Sequence, residues 1–484
     1  MIFWRVKSLD SILATAEKKA LIRTLGAFQL TMLGIGAIIG TGIFVLTAEA
    51  ATKAGPAMMI SFIIAATVCA LAALCYAEMA SMIPVSGSAY TYSYGTMGEL
   101  VAWVVGWALV LEYAIAASAV SVGWSGYMVG LAENIFATDI PTTFTNGPFD
   151  NTPGIINLPA MFIGLVCMGL LIVGTRESAR FNAFLVFIKV AALILFIALA
   201  LPAMDSANFQ PFAPNGFFAK NVVDPISGHM VTVGVAAAAA SIFFAYVGFD
   251  AVSTAAEETI NPQRNIPIGL IGSLAICTII YLLVAAGAIG AVGAVPGGEL
   301  ASSKEALAYV LREIGHGWAG KLVAIAAGLA LPSVVLMMMF GQTRIFFTMS
   351  RDGLLPAAFS RLHPKYGTPH VVTICTGIFV ALFAALFPVG ALADISNSGT
   401  LFAFALVAIA VMVLRRTQPG RQRSFRTPLV WVVAPLATLG CVFLFTQLSG
   451  YTELMFLGWA AIGLVVYYFY GYRRSHVAHP HLAE

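Results

Sequence analysis

The chain has 484 residues, of which 60% are hydrophobic and 10% are charged, and its mean hydropathy is +0.91. A soluble globular domain carries about 25% charged residues, so this composition excludes an ordinary water-soluble enzyme and predicts a membrane protein. The formal net charge of +3 is small, and we expect no nucleic-acid partner.

Residues 1–28 precede the first long apolar segment and predict a cytoplasmic arm. An apolar stripe and the basic residues Lys18, Lys19 and Arg23 would occupy different faces of a helix lying along the membrane surface. A disordered basic arm is the alternative. The arm is polar, so no cleavable signal peptide is expected. The stripe comprises Leu9, Ile12, Leu13, Ala16, Ala20 and Leu21.

Twelve apolar segments follow the arm, and a helix that crosses a bilayer needs roughly 20 mostly apolar residues. The sequence therefore predicts an all-α membrane protein with twelve transmembrane helices. The segments are residues 29–51, 58–83, 99–131, 157–173, 182–202, 230–256, 266–292, 321–348, 369–387, 393–414, 428–449 and 451–472.

The basic residues are distributed unevenly between the two sides of these segments. Nineteen of the 25 Lys and Arg residues fall on the side of the amino-terminal arm, and five fall on the other side. Loops rich in Lys and Arg remain in the cytoplasm. We therefore expect a multi-pass protein of the cell (inner) membrane with both termini in the cytoplasm.

The first apolar segment contains the run GIGAIIGTGIF at Gly34–Phe44. Four glycines and a threonine in eleven residues make a poor continuous helix, so a break is predicted at Gly40–Gly42. Irregular backbone at membrane depth is tolerated where it is buried in protein or lines a watery cavity. A break of this kind predicts a solute site.

The sixth segment contains a second break, at FFAYVGFD, Phe243–Asp250. Interrupted helices five spans apart run in opposite directions, as in an inverted repeat. This pattern predicts repeats at residues 29–202 and 230–414, two appended helices at 428–472 and a cytoplasmic tail at 473–484. The alternative is two unrelated glycine-rich packing contacts.

Each break would leave helix-end groups free to bind a charged solute. The amides of Thr41, Gly42 and Ile43 suit a carboxylate. The carbonyls near Ile38, Phe244, Ala245 and Val247 suit an ammonium group. An α-amino acid carries both charges on one carbon, so these seven residues form the predicted substrate site.

The two broken-helix motifs resemble those of the amino acid–polyamine–organocation transporter superfamily, and in particular its cationic amino acid transporter branch. Further stretches agree, namely PVSGSAYTYSY at 84–94, GTRESARFN at 174–182, NPQRNIP at 261–267 and RDGLLP at 351–356. The resemblance covers essentially the whole chain. It implies a leucine-transporter-like 5+5 fold with broken helices 1 and 6, and alternating access.

Lys189 lies inside the fifth segment, where an ionisable residue is a functional candidate by default. The resemblance implies proton coupling, with the ammonium in the place of a sodium ion and in contact with carbonyls such as those of Gly36 and Ala37. Snorkelling of the long side chain to the membrane surface is the alternative. Sodium coupling is the second mechanistic reading.

Three further side chains are candidates for coupling or gating. Glu112 would pair with Lys189, bind a proton or attract a cationic side chain, or else be a packing carboxyl. Asp250 would cap the inner half-helix or contact substrate as part of a gate. Phe244 would act as a lid. Near the cytoplasmic ends we expect an ion-pair network of Glu78, Glu257 and Glu258 with Arg176, Arg180 or Arg264.

These features predict a secondary active transporter of L-amino acids that is coupled to protons. A wall of Phe244, Val247 and Met337–Met339 slightly favours small neutral substrates such as alanine, and a cationic (arginine or lysine) transporter or exchanger is the alternative. An amino acid sensor and a membrane-embedded enzyme are the other classes. We expect no catalytic residues, no metal and no cofactor, since the cysteines lack ligand spacing and the histidines lie outside the middle of the segments.

Overall fold

The computed structural model describes residues 5–10, 12–13, 25–85, 87–150, 152–174, 179–223 and 230–477, and for residues 179–182 and Glu257 it describes the backbone alone. The described chain is predominantly helical. In its first half the helices are α1 Ala27–Ile38, α2 Thr41–Phe44, α3 Leu46–Ala54, α4 Met58–Met82, α5 Ser88–Thr96, α6 Glu99–Phe136, α7 Leu158–Val173 and α8 Ala179–Ala200.

The second half begins with a small antiparallel sheet of β1 Lys220–Val223 and β2 Met230–Val233, in which Lys220 is opposite Val233. The helices that follow are α9 Val235–Ile242, α10 Ala251–Thr254, α11 Pro262–Val292, α12 Glu299–Ser302, α13 Ala306–Glu313, α14 Gly317–Arg351, α15 His370–Leu386, α16 Val389–Thr417, α17 Val430–Phe445 and α18 Gly450–Val466.

Eight helical stretches of the described chain are long and apolar enough to cross a membrane. They are Leu46–Met82, Glu99–Phe136, Ala183–Ala203, Val235–Thr254, Pro262–Val292, Gly317–Arg351, Val389–Thr417 and Gly450–Arg474. Four shorter apolar helices of 10–17 residues are α1, α7, α15 and α17. Each of the twelve predicted apolar segments is largely helical, although these four helices are shorter than a full crossing requires.

Helix packing places the two glycine-rich breaks at the centre of the protein. The long helix α6 packs against α14 and α16, and α1 and α4 both pack against α11. The stretch Val235–Thr254 is entirely buried, whereas Gly450–Arg474 is only 22% buried. Because apolar side chains need no shielding from lipid, the last helix lies at the periphery while the interrupted helix is enclosed by protein.

The amino-terminal arm packs on the protein in its described part. Residues 9–10 and 12–13 are helical, and the side chains of Leu9 and Ile12 are buried. Both are close to Gly95 at the end of α5, where an added methyl group would lie 2.3 Å from Leu9 Cδ2. These two members of the predicted stripe therefore contact a neighbouring helix. Lys18, Lys19 and Arg23 lie outside the described residues.

Candidate functional site

The first broken helix is interrupted between α1 and α2. The helix α1 ends at Ile38, Ile39 and Gly40 are extended, and α2 begins at Thr41. Val45 alone separates α2 from α3. The break predicted from the glycines is confirmed, and its irregular residues are Ile39 and Gly40.

The second broken helix changes conformation where Gly248 was singled out. The helix α9 ends at Ile242, a 3₁₀ turn covers Phe243–Tyr246, and α10 begins at Ala251. Gly248 has a φ of +113°, a conformation that L side chains rarely adopt. An added methyl group there would also lie 2.9 Å from the Ala37 carbonyl oxygen. Glycine is therefore required for both conformation and space, and the second break is confirmed.

The two breaks are in direct contact. A methyl group added at Gly42 would lie 2.3 Å from the Cα of Ala245, and Gly248 meets the backbone of Ala37. The contact joins α2 to the 3₁₀ turn that follows α9, so residues about 200 positions apart meet. All seven predicted substrate residues are brought into one buried region: Ile38, Thr41, Gly42, Ile43, Phe244, Ala245 and Val247.

Backbone amides and carbonyls at the two breaks differ in whether they have hydrogen-bond partners. Thr41, Gly42 and Ile43 open the short helix α2, so their amides have no acceptor within it. The Ile38 carbonyl accepts a hydrogen bond from the Tyr281 hydroxyl at 2.9 Å. That carbonyl was expected to be free, and the sequence analysis did not identify Tyr281. Its only sequence signal is a phenol within the apolar helix α11.

The Phe244 carbonyl was also expected to be free, but it accepts the backbone N–H of Val247 at 3.2 Å. A carbonyl oxygen has two lone pairs, so one acceptor position remains on it. Phe244 itself is buried, at 6% exposed.

Lys189 is buried beside the first break. Its side chain is 1% exposed, and the ammonium donates a hydrogen bond to the Gly36 carbonyl oxygen at 2.8 Å. The predicted contact with the carbonyls of the first broken helix is confirmed. Snorkelling to the membrane surface does not occur in this structure. The ammonium is therefore placed to stabilise the carboxyl end of α1, where the helix dipole is negative.

Glu112 and Asp250 are both fully buried, and they lie close enough for their charges to interact. Neither carboxylate oxygen of Glu112 has a hydrogen-bond partner within the described part of the chain, and the expected pair with Lys189 is not formed. Oδ2 of Asp250 accepts a hydrogen bond from the Tyr113 hydroxyl at 2.6 Å. The expected capping bond from Asp250 to α10 is absent. Tyr113, the neighbour of Glu112 in sequence, was not identified beforehand.

A family model described as amino acid permease matches residues 25–470. The chain belongs to this family. It is 46% identical over 475 residues to the branched-chain amino acid permease BcaP of Bacillus subtilis (strain 168), covering 98% of each chain. It is 42% identical to the methylthioribose transporter of the same organism, again over 98% of each chain. It is also 36% identical to the chloroplastic cationic amino acid transporter 9 of Arabidopsis thaliana, covering 88% of this chain and 72% of the relative.

These matches confirm the amino acid–polyamine–organocation superfamily. With its several apolar helices, the permease is a multi-pass membrane protein, and its family indicates a transporter and not an enzyme. Among the described residues no group of three or more His, Cys, Asp or Glu side chains could hold a metal ion.

A buried ion pair that the sequence analysis did not identify involves α3, the helix that follows the first break. The ammonium of Lys53 is 3.1 Å from Oδ2 of Asp394, 2.6 Å from the Ser241 hydroxyl and 3.3 Å from Glu49. Ser241 also donates to Asp394. The pair joins α3, α9 and α16, so it ties both broken helices to a third. Its sequence signal is the polar run DISNSGT within the apolar helix α16.

The predicted ion-pair network forms with other partners. Glu78 accepts two hydrogen bonds from Arg415, at 2.7 and 2.8 Å, and lies 3.2 Å from Arg423. Glu258 pairs with Arg344 at 3.5 Å. The network expected with Arg264 is therefore wrong, because Glu78 faces the connection between α16 and α17. Arg176 and the side chains of Arg180 and Glu257 lie outside the described residues.

Proposed function

We propose that this permease is a secondary active transporter that moves L-amino acids by alternating access, with its substrate bound at the two breaks. The contact between the breaks carries this proposal. Gly42 and Gly248 leave no space for side chains, and both face backbone of the opposite broken helix. The interrupted ends of both broken helices therefore meet at one buried point. Their amides and carbonyls suit the two opposite charges of a zwitterion.

The amides of Thr41, Gly42 and Ile43 would bind the substrate carboxylate, because a helix start carries a positive dipole end. The carbonyls near Ile38, Phe244, Ala245 and Val247 would bind the ammonium group. The Tyr281 hydroxyl already donates a hydrogen bond to the Ile38 oxygen, and the Val247 amide donates one to the Phe244 oxygen. Substrate would therefore replace these donors or use the second lone pair.

The membrane arrangement we propose has twelve crossings, with inverted repeats at residues 29–202 and 230–414 and two appended helices at 428–472. The four short apolar helices would cross with help from flanking residues or a thinned bilayer. The arm at 1–28 and the tail at 473–484 would be cytoplasmic in the cell membrane. The basic side of the chain supports this orientation.

Coupling to protons is supported by the Lys189–Gly36 contact. A buried ammonium on a carbonyl of α1 holds that helix end in place. Loss of the proton would remove the charge–dipole attraction and release α1, which links protonation to the side on which the site opens. Glu112 is the second candidate, because its buried carboxyl lacks a described partner and would be costly to leave charged.

Gating would use a barrier on each side of the site. The Lys53–Asp394 pair closes the outer side by holding α3 against α9 and α16. Phe244 would act as the lid over bound substrate. Asp250 would act on the inner side through its hydrogen bond with Tyr113.

For the substrate we propose apolar neutral amino acids, from alanine to the branched-chain residues. Phe244 and Val247 offer only apolar side chains at the site, and a relative 46% identical to this chain is named a branched-chain amino acid permease. A cationic substrate is the second candidate, because the unpartnered Glu112 carboxyl could attract a positive side chain.

Uptake into proteoliposomes tests the proposal. Purified permease would be supplied with radiolabelled alanine, valine, leucine, isoleucine, arginine, lysine and methylthioribose, with and without an inward proton gradient. We expect saturable uptake of the apolar amino acids that the gradient increases. Preferred uptake of arginine or methylthioribose would replace the substrate assignment, and no uptake of any compound would contradict the transport function.

A further inference from the structure

Two acidic residues on the proposed cytoplasmic side hold together stretches that are far apart in sequence. Glu99 is the first residue of α6 and is fully buried. Asp352 follows the last residue of α14. Neither is one of the proposed substrate-binding residues. Each is contacted by residues from both the beginning and the far end of the chain.

Glu99 collects four side chains on one carboxylate. The hydroxyl of Tyr94 donates to Oε2 at 3.0 Å, and that of Tyr467 donates to Oε1 at 2.9 Å. Ser475 also donates to Oε2. The guanidinium of Arg5 is 3.9 Å from Oε1, and the Glu99 amide donates to the Arg5 carbonyl at 2.9 Å. Residues 470 positions apart therefore share one buried charge.

Asp352 repeats this arrangement. Its Oδ1 is 3.0 Å from the ammonium of Lys7, and its Oδ2 accepts the hydroxyl of Tyr90 at 2.9 Å. Its carbonyl accepts the backbone N–H of His476 at 3.2 Å. The amino-terminal and carboxyl-side segments thus dock beside each other on the same two acids.

The helix between these segments and the substrate region is α5. It carries Tyr90 and Tyr94, and its Tyr94 carbonyl accepts the amide of Lys7 at 3.2 Å. The side chain of Leu9 packs against Gly95 at its far end. One face of α5 is therefore covered by the amino-terminal arm.

The first residue of α5 touches the second broken helix. The hydroxyl of Ser253, in α10, donates to that of Ser88 at 3.3 Å. Ser88 has a φ of +47°, a conformation uncommon for a residue other than glycine. Helix α5 thus contacts the inner half of the broken helix at its first residue and is linked to the two docked segments through Tyr90 and Tyr94.

We propose that Glu99 and Asp352 form an inner latch, which attaches residues 5–9 and 467–476 to α5. While these segments are attached, α5 prevents α10 from moving away toward the cytoplasm. This inference rests on the proposed function, because it explains how the proposed substrate site is closed on its inner side. Glu99 and Asp352 are positioning residues that act through α5. Release of substrate to the inside would require both segments to leave α5.

A permanent structural attachment is the competing interpretation, and it predicts that weakening the latch lowers stability without changing access. Water access to α10 distinguishes the two. Ala251, the first residue of α10, is 6% exposed and would be replaced by cysteine. Cys375 would be replaced by serine, because it is exposed whereas the other five cysteines are buried.

The reaction rate of Ala251→Cys with a membrane-impermeant maleimide would be measured in inside-out vesicles. We expect Glu99→Gln and Ser475→Ala each to raise this rate about fivefold, the shift that loss of one net hydrogen bond gives to a two-state equilibrium. Arg473→Gln is the matched control, since Arg473 is an exposed residue of the same segment and makes none of the contacts described for Glu99. Its rate should equal that of the parent.

Equal rates in all variants would overturn the latch, as would faster labelling only in right-side-out vesicles. Lys7→Gln serves as a further test if Glu99→Gln does not fold, as judged by size-exclusion chromatography and thermal unfolding. The labelling assay needs no substrate. If the parent protein transports no amino acid, the proposed function is contradicted while the labelling assay still tests the latch. If transport is normal and labelling is unchanged, the latch alone is contradicted.

Discussion

Replacement of Gly42 by alanine tests whether contact between the two breaks is needed for transport. The new methyl group would lie 2.3 Å from Cα, 2.6 Å from Cβ and 3.0 Å from the amide nitrogen of Ala245. Two of these atoms belong to the backbone, so no side-chain rotation relieves the clash. The two broken helices must separate. Overpacking of this kind costs about 1–3 kcal/mol.

That cost falls on the closed arrangement, in which the amides of α2 are held against the second break. At about 1.4 kcal/mol for each factor of ten, we expect the KM for amino acid uptake to rise between about fivefold and about 150-fold. Gly42→Val, with two more methyl groups, should abolish uptake. Initial rates in proteoliposomes over a range of substrate concentrations would measure both effects.

Gly458→Ala is the matched control, because Gly458 lies in α18 and a methyl group added there meets no atom of the described residues within 4 Å. In a helix this change should be neutral or slightly stabilising. Thermal unfolding of the detergent-solubilised protein would show that Gly42→Ala still folds. Uptake by folded Gly42→Ala with an unchanged KM would refute the proposed site.

Three other changes have distinct expected outcomes. Lys189→Ala removes the 2.8 Å bond to the Gly36 carbonyl and should abolish accumulation driven by a proton gradient while counterflow of substrate persists; full pH-driven accumulation would contradict the coupling role. Asp394→Asn weakens the buried pair with Lys53 and should speed maleimide labelling of an Ala237→Cys probe in α9 from the outside, whereas unchanged labelling would argue against an outer barrier. Glu78→Gln leaves two arginines without their carboxylate and should lower the free energy of unfolding by about 3–5 kcal/mol without altering KM; an unchanged unfolding temperature would show that the network is dispensable.

Local sequence was sufficient to predict the two broken helices and to single out Lys189 as a functional candidate. Glycine clusters raise the free energy of a continuous helix wherever they occur, so the interruptions at Gly40 and Gly248 could be predicted without knowledge of the fold. A lysine in an apolar segment is similarly informative, because few arrangements can bury an ammonium. The position of Lys189 beside Gly36 followed from the family resemblance and was confirmed.

Partners between distant residues were the part that could not be predicted. Glu78 was assigned the wrong arginines, the Asp250 carboxylate accepts a hydrogen bond from Tyr113 and does not cap α10, and Tyr281 donates to a carbonyl expected to be free. A charged or phenolic side chain can reach any polar group within several ångströms, so its partner depends on which helices become neighbours. Helix interruptions are encoded by a few adjacent residues, whereas the Lys53–Asp394 pair and the two docked segments on Glu99 exist only once packing has brought α3, α5, α6 and α16 to their places.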